Sequence, residues 1–172
     1  MRYLNSSPVL PLHTSVQKYG SNMRLLTALF TICLAGLVLA DVVTVQQCPD
    51  GPLPLSVDVV GCPSTPCNLP KGQDAAVMVE FTARKHLSAL VPVVHASFSG
   101  LTVPFVLPDD RKDACEWLSG TVCPISPDED VIYELQLPVL ASYPSLSLNV
   151  ELKLVDQANE VVTCFQLQAN VV

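Results

Sequence analysis

Positive charge is scarce in this sequence, which has nine Lys and Arg against sixteen Asp and Glu and a formal charge of −7. Nucleic-acid binding depends on Lys and Arg displacing counterions from phosphates, so that function class is excluded. Charge of either sign is sparse at 15%, while hydrophobic residues reach 49%. A disordered chain has the opposite composition, because it lacks the apolar surface to offset its ordering entropy. The signatures of catalysis are missing too: no G-x-S-x-G elbow, H-E-x-x-H pair or glycine-rich phosphate loop occurs. There is no internal repeat and no low-complexity tract. The 172 residues suffice for one domain, not two.

What is present is unevenly placed. Residues 25–40 (LLTALFTICLAGLVLA) form an uncharged apolar run directly after Met23 and Arg24. The run is sixteen residues long and ends on the small-x-small pattern Val38-Leu39-Ala40. A spanning helix needs about 20 apolar residues, so the segment fits a secretory signal peptide instead. The expected organisation is a dispensable upstream extension over 1–22, a signal peptide over 23–40 and an exported domain over 41–172. That domain keeps six basic and all sixteen acidic residues, a formal charge of −10.

Export places the cysteines in an oxidising compartment. Cys33 falls in the signal peptide, which leaves Cys48, Cys62, Cys67, Cys115, Cys123 and Cys164, an even number that implies disulfides. Pro63 and Pro66 fix φ and curl the segment between Cys62 and Cys67, favouring a local bridge. Cys115 and Cys123 flank a turn at Ser119-Gly120 and are expected to pair locally as well. By elimination Cys48 joins Cys164 and ties the ends of the domain. A zinc site is disfavoured by the absence of a C-x-x-C pair.

The period of the exported domain is two. Leu146, Leu148, Val150, Leu152 and Leu154 alternate with polar residues, as do Val77, Val79 and Phe81, and Val131, Tyr133, Leu135 and Leu137. Residues 161–172 repeat the pattern, and β-branched runs over 53–60 and 90–107 are broken by Pro92, Pro104 and Ser99-Gly100. Those prolines belong at edges or bulges. Seven or eight short strands without an amphipathic helix predict an all-β fold, an antiparallel β-sandwich. The one tryptophan, Trp117, lies in the loop from Cys115 to Cys123 and not between sheet-bridging cysteines, so an antibody-type core is not expected. Only His86 and His95 are available as bases, and His95 fits a strand. The acidic clusters Asp109-Asp110 and Asp128-Glu129-Asp130 sit beside prolines in loops and lack the spaced ligands of a calcium loop. No nucleophile and base pair is evident, so neither an enzyme, a cofactor nor a metal is expected.

The run 62–73 (CPSTPCNLPKGQ), which leads to Phe81-Thr82, resembles the C-P-x-x-P-C-x-L-x-K-G-x segment of the soluble Niemann-Pick type C sterol carriers, which are ML lipid-recognition domains. Val93-Val94-His95 with Gly100 and Val103-Pro104-Phe105, residues 120–125 (GTVCPI), Leu137-Pro138-Val139 with Tyr143-Pro144-Ser145, and Cys164 extend the likeness over 41–172. The resemblance implies an immunoglobulin-like sandwich whose sheets part to admit a lipid, and it implies the same three bridges. The family's pocket and mouth positions match Val59, Phe105, Val139, Tyr143 and Pro144, which become the candidate lipid contacts. The implied ligand is a sterol, a fatty acid or another hydrophobic lipid, carried by a monomer with transient contact to a membrane or membrane protein. A second function class under the same resemblance is an innate-recognition co-receptor module that binds a microbial lipid and a receptor. Two features depart from the family pattern: the longer Cys115 to Cys123 loop with Trp117, and Phe165 where many relatives carry tryptophan. The one N-x-S/T sequon, at Asn5, lies upstream of the signal, which favours plain secretion over glycan-directed delivery to the lysosomal lumen.

Overall fold

The computed structural model describes residues 42–172. The expected extension (1–22), the expected signal peptide (23–40) and Asp41 lie outside the described residues. Ten strands are present there: β1 (Gln46–Gln47), β2 (Ser56–Val59), β3 (Cys67–Leu69), β4 (Gln73–Ala83), β5 (Leu90–Phe98), β6 (Leu101–Phe105), β7 (Leu118–Ser119), β8 (Glu129–Val139), β9 (Leu146–Asp156) and β10 (Val161–Val171). They form two sheets, one ordered β1-β10-β9-β5-β6 and the other β2-β4-β8-β7. All pairings between these neighbours are antiparallel, while β3 lies parallel along the end of β10, with Cys67 opposite Ala169 and Leu69 opposite Val171. The sandwich and its two-sheet architecture are those expected. The count exceeds seven or eight because β1, β3 and β7 are fragments of two or three residues. Among the described residues no helix is long and apolar enough to cross a membrane.

Alternation sets which face each strand buries. On β4 the odd positions Val77, Val79, Phe81 and Ala83 are buried, and on β8 so are Val131, Tyr133 and Leu135. These meet Leu90 and Val94 of β5, Leu152 and Leu154 of β9, and Phe165 and Leu167 of β10 in one core. Ser99 (φ 48) and Gly100 (φ 79) make the two-residue left-handed turn between β5 and β6, the geometry that suits the twist of a hairpin. Each strand proline sits where one flank of its strand lacks a partner. Pro92 lies beyond the end of β6, Pro104 is on β6 at the sheet edge, and Pro138 is in the part of β8 that β7 does not cover. A missing N–H there removes no ladder hydrogen bond.

Two 3-10 turns, Asp109–Arg111 and Ala114–Trp117, interrupt the otherwise all-β pattern between β6 and β7. Asp113 caps the second by accepting from the Cys115 amide at 2.9 Å. Trp117 donates through Nε1 to the Asp110 carbonyl at 2.7 Å, and the Arg111 guanidinium lies 3.8 Å above its ring. Trp117 and the half-buried Leu118 thus pack this loop onto the core instead of projecting into solvent.

The structure closes disulfides between Cys48 and Cys164, Cys62 and Cys67, and Cys115 and Cys123. The first joins positions 116 apart. Beside it the chain passes so close to β10 that a Cβ on Gly51 would come within 2.5 Å of the Val161 side chain. At the same end of β9, Asp156 is buried and accepts from the amides of Ala158 at 2.8 Å and Glu160 at 2.9 Å. Its other oxygen pairs with Lys85, and this ammonium, followed by the two amides, holds the carboxyl below its ordinary range.

Two outcomes are expected. Replacing Cys48 and Cys164 together by alanine should cost roughly 4 to 5 kcal/mol in urea unfolding, against about 2 for Cys62 with Cys67, since the longer closure removes more unfolded-state entropy. Asp156→Asn keeps an acceptor for the amides but loses the charge. A carboxyl lowered by folding stabilises fully above its unfolded pKa, near ~3.9, and loses that contribution as pH falls through the folded value. The urea midpoint of the variant should therefore lie below that of the parent at pH 7, and the two should converge in acid below about pH 3.9.

Candidate functional site

The inward stripe of β9 changes role along its length. Leu154 is fully buried and Leu152 is 3% exposed, both packed into the core, whereas Leu146, Leu148 and Val150 on the same face border open space. That space is a cavity of about 390 Å³ between the sheets. From β5 it is walled by Val94, Ala96 and Phe98, and from β6 by Val103 and Phe105. From the opposite sheet β8 contributes Leu137, Pro138 and Val139, while Leu69 of β3 and Val171 of β10 close one side. Tyr143 and the exposed Pro144, in the loop between β8 and β9, mark the mouth.

Side-chain size explains why the interior is full at one end and hollow at the other. Phe81, Tyr133 and Phe165 fill the packed end, all at 2% exposure or less. At the open end the aromatics Phe98, Phe105 and Tyr143 are only half-buried, and the inward positions between them are alanine, valine and leucine. The lips are strand edges: β6 ends its sheet, and β8 past Tyr133 has no neighbour beyond β4. A second space of about 30 Å³ lies deeper, bordered by Val59, Ala75, Leu135 and Phe165. It shares Leu69, Leu137 and Val150 with the main cavity.

Of the five candidate contacts, Phe105, Val139, Tyr143 and Pro144 therefore come together around one cavity. Val59 does not border it; its side chain, 2% exposed, faces the small deeper space. The sequence reading missed most of the wall, notably Ala96, Phe98, Leu137, Leu148 and Val150. Inward parity marked some of these as buried, but parity cannot tell a packed partner from an empty one.

The cavity wall carries no charged side chain. Apart from the Tyr143 phenol the titratable groups lie outside it, and several are engaged with the protein itself. His86 is exposed, and His95 faces outward on β5 with Nδ1 3.6 Å from Glu151. Asp109 pairs with Lys112, and Asp110 with Arg111. Glu129 accepts from Thr121 Oγ1 at 2.6 Å and from the Ser126 amide at 3.1 Å, in that order of effect, which holds its carboxyl low. Asp130 accepts from Thr82 Oγ1 at 2.6 Å. Tyr133 is enclosed in the core, and its burial raises the phenol well above its usual range. Among the described residues one group of potential metal ligands gathers, Cys48, Asp50 and Cys164, and both of its sulfurs are committed to a disulfide.

The architecture thus defines a class, an all-β two-sheet sandwich that encloses an apolar chamber at one end. Within that class the family model described as ML domain matches residues 42–171, and the chain belongs to the ML-domain family. It is 36% identical over 151 residues to the Bos taurus protein named NPC intracellular cholesterol transporter 2, across 87% of this chain and 99% of that protein. A Drosophila melanogaster protein named NPC intracellular cholesterol transporter 2 homolog a is 33% identical over 117 residues, across 67% of this chain and 77% of that one. The crystal structure of a Niemann-Pick type C2 protein from Japanese carpenter ant aligns with a TM-score of 0.67 at 20% identity, covering 75% of this chain and 99% of that chain. At that identity the likeness speaks for the fold.

A hollow wall and a packed core respond differently to truncation. Leu154→Ala should cost about 2 to 5 kcal/mol in denaturant unfolding of delipidated protein, while Leu148→Ala, which already borders unfilled space, should cost less than about 2. Equal losses at both positions would mean that the chamber is filled by the protein itself.

Proposed function

We propose that this chain is a secreted, non-enzymatic lipid carrier that holds a sterol or similarly sized hydrophobic molecule in the cavity between its sheets and passes it to a membrane or membrane protein. The observation that carries this reading is the uncharged cavity of about 390 Å³. Its volume falls within the range of about 300 to 1,000 Å³ usual for small-molecule sites. Removing roughly 400 Å² of ligand surface from water contributes on the order of 10 kcal/mol before the costs of association, so useful affinity needs no ion pair. Binding and release then require no covalent chemistry, which agrees with a wall that offers neither a base nor a nucleophile apart from the Tyr143 phenol. The names of the relatives, cholesterol transporters, support the same ligand class. The contacts proposed for the ligand are Phe105, Val139, Tyr143 and Pro144, with Val59 behind them at the deeper space.

Organic extraction of the purified protein followed by mass spectrometry should recover a bound hydrophobic lipid, and a fluorescent sterol should titrate saturably. Val139→Trp, which projects an indole into the chamber, should weaken that titration at least tenfold while the circular dichroism spectrum stays that of a β protein. Absence of both extracted lipid and saturable binding in the parent would refute the carrier reading.

A further inference from the structure

The end of the sandwich far from the chamber carries a separate concavity. Gln73, at the start of β4, pairs with the chamber-wall residue Val139, and the strand reaches Phe81 and Thr82 about 26 Å further on. There a notch of about 40 Å³ is lined by the buried Phe81 and the half-buried Val162 and edged by Leu53, Leu55 and Arg84. Leu53 is 43% and Leu55 59% exposed. Apolar residues scattered singly over a surface need no account, but two leucines edging one notch do. Their exposure does not come from a loose backbone. Pro52 and Pro54 fix φ on either side of Leu53. The Pro52 carbonyl accepts from the Cys164 amide of β10 at 2.8 Å, and the Leu55 amide donates to the Glu80 carbonyl of β4 at 2.7 Å. The segment is thus pinned to both sheets with its leucines left in solvent.

Charge at the notch is unusual for this domain. Of its six cations four pair with neighbouring acids: Lys85 with Asp156 and Glu160, Arg111 with Asp110, Lys112 with Asp109, and Lys153 with Asp50 and Glu151. Arg84 is exposed at the notch, and among the described residues no carboxylate lies within salt-bridge distance of it. The acids held by its sequence neighbours are committed elsewhere. Asp130 accepts from Thr82 Oγ1 at 2.6 Å, and Asp156 and Glu160 hold Lys85. An apolar recess therefore has an uncompensated guanidinium beside it.

We propose that this notch docks a partner protein through an extended acidic segment, which sets an aliphatic side chain between Leu53 and Leu55 and a neighbouring carboxylate on Arg84. The recess has room for two or three heavy atoms, about the tip of a valine or leucine, and a flat bilayer could not fill it. Arginine presents a planar fork that takes a carboxylate through two parallel hydrogen bonds. The rest of the domain, at −10, opposes an acidic partner only weakly, because charges beyond about 8 Å are screened at physiological salt. Notch and chamber lie at opposite ends, so a docked partner leaves the mouth between β8 and β9 free. The docking site does not depend on what the chamber holds.

The test pans a phage library of random heptapeptides on the purified protein. Enriched sequences should combine an aliphatic residue with Asp or Glu one or two positions away. The most enriched peptide is synthesised alongside a neutralised version, with Asn for Asp and Gln for Glu, and both are titrated by fluorescence anisotropy against the parent, Arg84→Gln, and Leu53→Ser combined with Leu55→Ser. Arg84→Gln should weaken the acidic peptide about tenfold and leave the neutralised one unchanged, which isolates the pairing of charge with guanidinium. The double serine variant should weaken both peptides about tenfold. All three substitutions fall on exposed side chains, so thermal unfolding should match the parent and serves as the check on folding. No enrichment above background, enriched sequences without acidic residues, or equal affinity of parent and Arg84→Gln for the acidic peptide overturns the docking site. Binding to phosphatidylserine vesicles that the parent shows and the double serine variant loses would also overturn it, assigning the leucines to a bilayer.

Discussion

Two sheets that touch along one half and part along the other set the terms for everything else in this domain. The same inward stripes run through both halves, so the division between core and chamber is made by side-chain volume. Phe81, Tyr133 and Phe165 close the gap at one end; Ala96, Leu148 and Val150 leave it open at the other. A dry, rigid void of about 390 Å³ would cost on the order of 9 kcal/mol, as much as the whole net stability of an ordinary domain. A guest that fills the space removes that cost, which links occupancy of the chamber to stability of the fold. The bridge from Cys48 to Cys164 and the Asp156 clamp lie away from the chamber, where they restrain the sheets without occupying it.

The fold was largely legible because period-two patterning is a local signal. The alternation from Leu146 to Leu154 runs unbroken, and the β9 that forms from it has the expected face inward. Ser99-Gly100 and the strand prolines likewise announced where hairpins and edges fall. The two 3-10 turns were not anticipated, since they depend on the Asp113 cap and on Trp117 finding the Asp110 carbonyl, contacts that no periodicity encodes. The chamber was less legible than the fold. Family motifs reached its rim through Phe105, Val139, Tyr143 and Pro144, but most of the wall comes from ordinary strand positions whose sequence is indistinguishable from core. Val59 shows the limit: its pattern marks it correctly as inward, yet depth along the sandwich decides which space it meets.

The distribution of charge follows the same division. Acidic residues far outnumber basic ones, and they are spent on turns, caps and pairs outside the wall, including Glu129 on Thr121 and Asp156 on Lys85. The buried Asp156 is compensated by the Lys85 ammonium and two amides, and the half-buried Glu129 by the Thr121 hydroxyl and the Ser126 amide. Lys71 and Arg84 have no acidic partner among the described residues, and the Lys71 side chain donates instead to the exposed Ser145.

Pro104 and Pro138 occupy the two free borders of the chamber, one on β6 and one on β8. An exposed strand border with all its amides present is a template on which a second chain can polymerise. With a ring nitrogen on each border the opening offers no continuous row of donors for such growth. The slot can thus remain unsealed at high protein concentration, open to solvent yet a poor seed for fibrils.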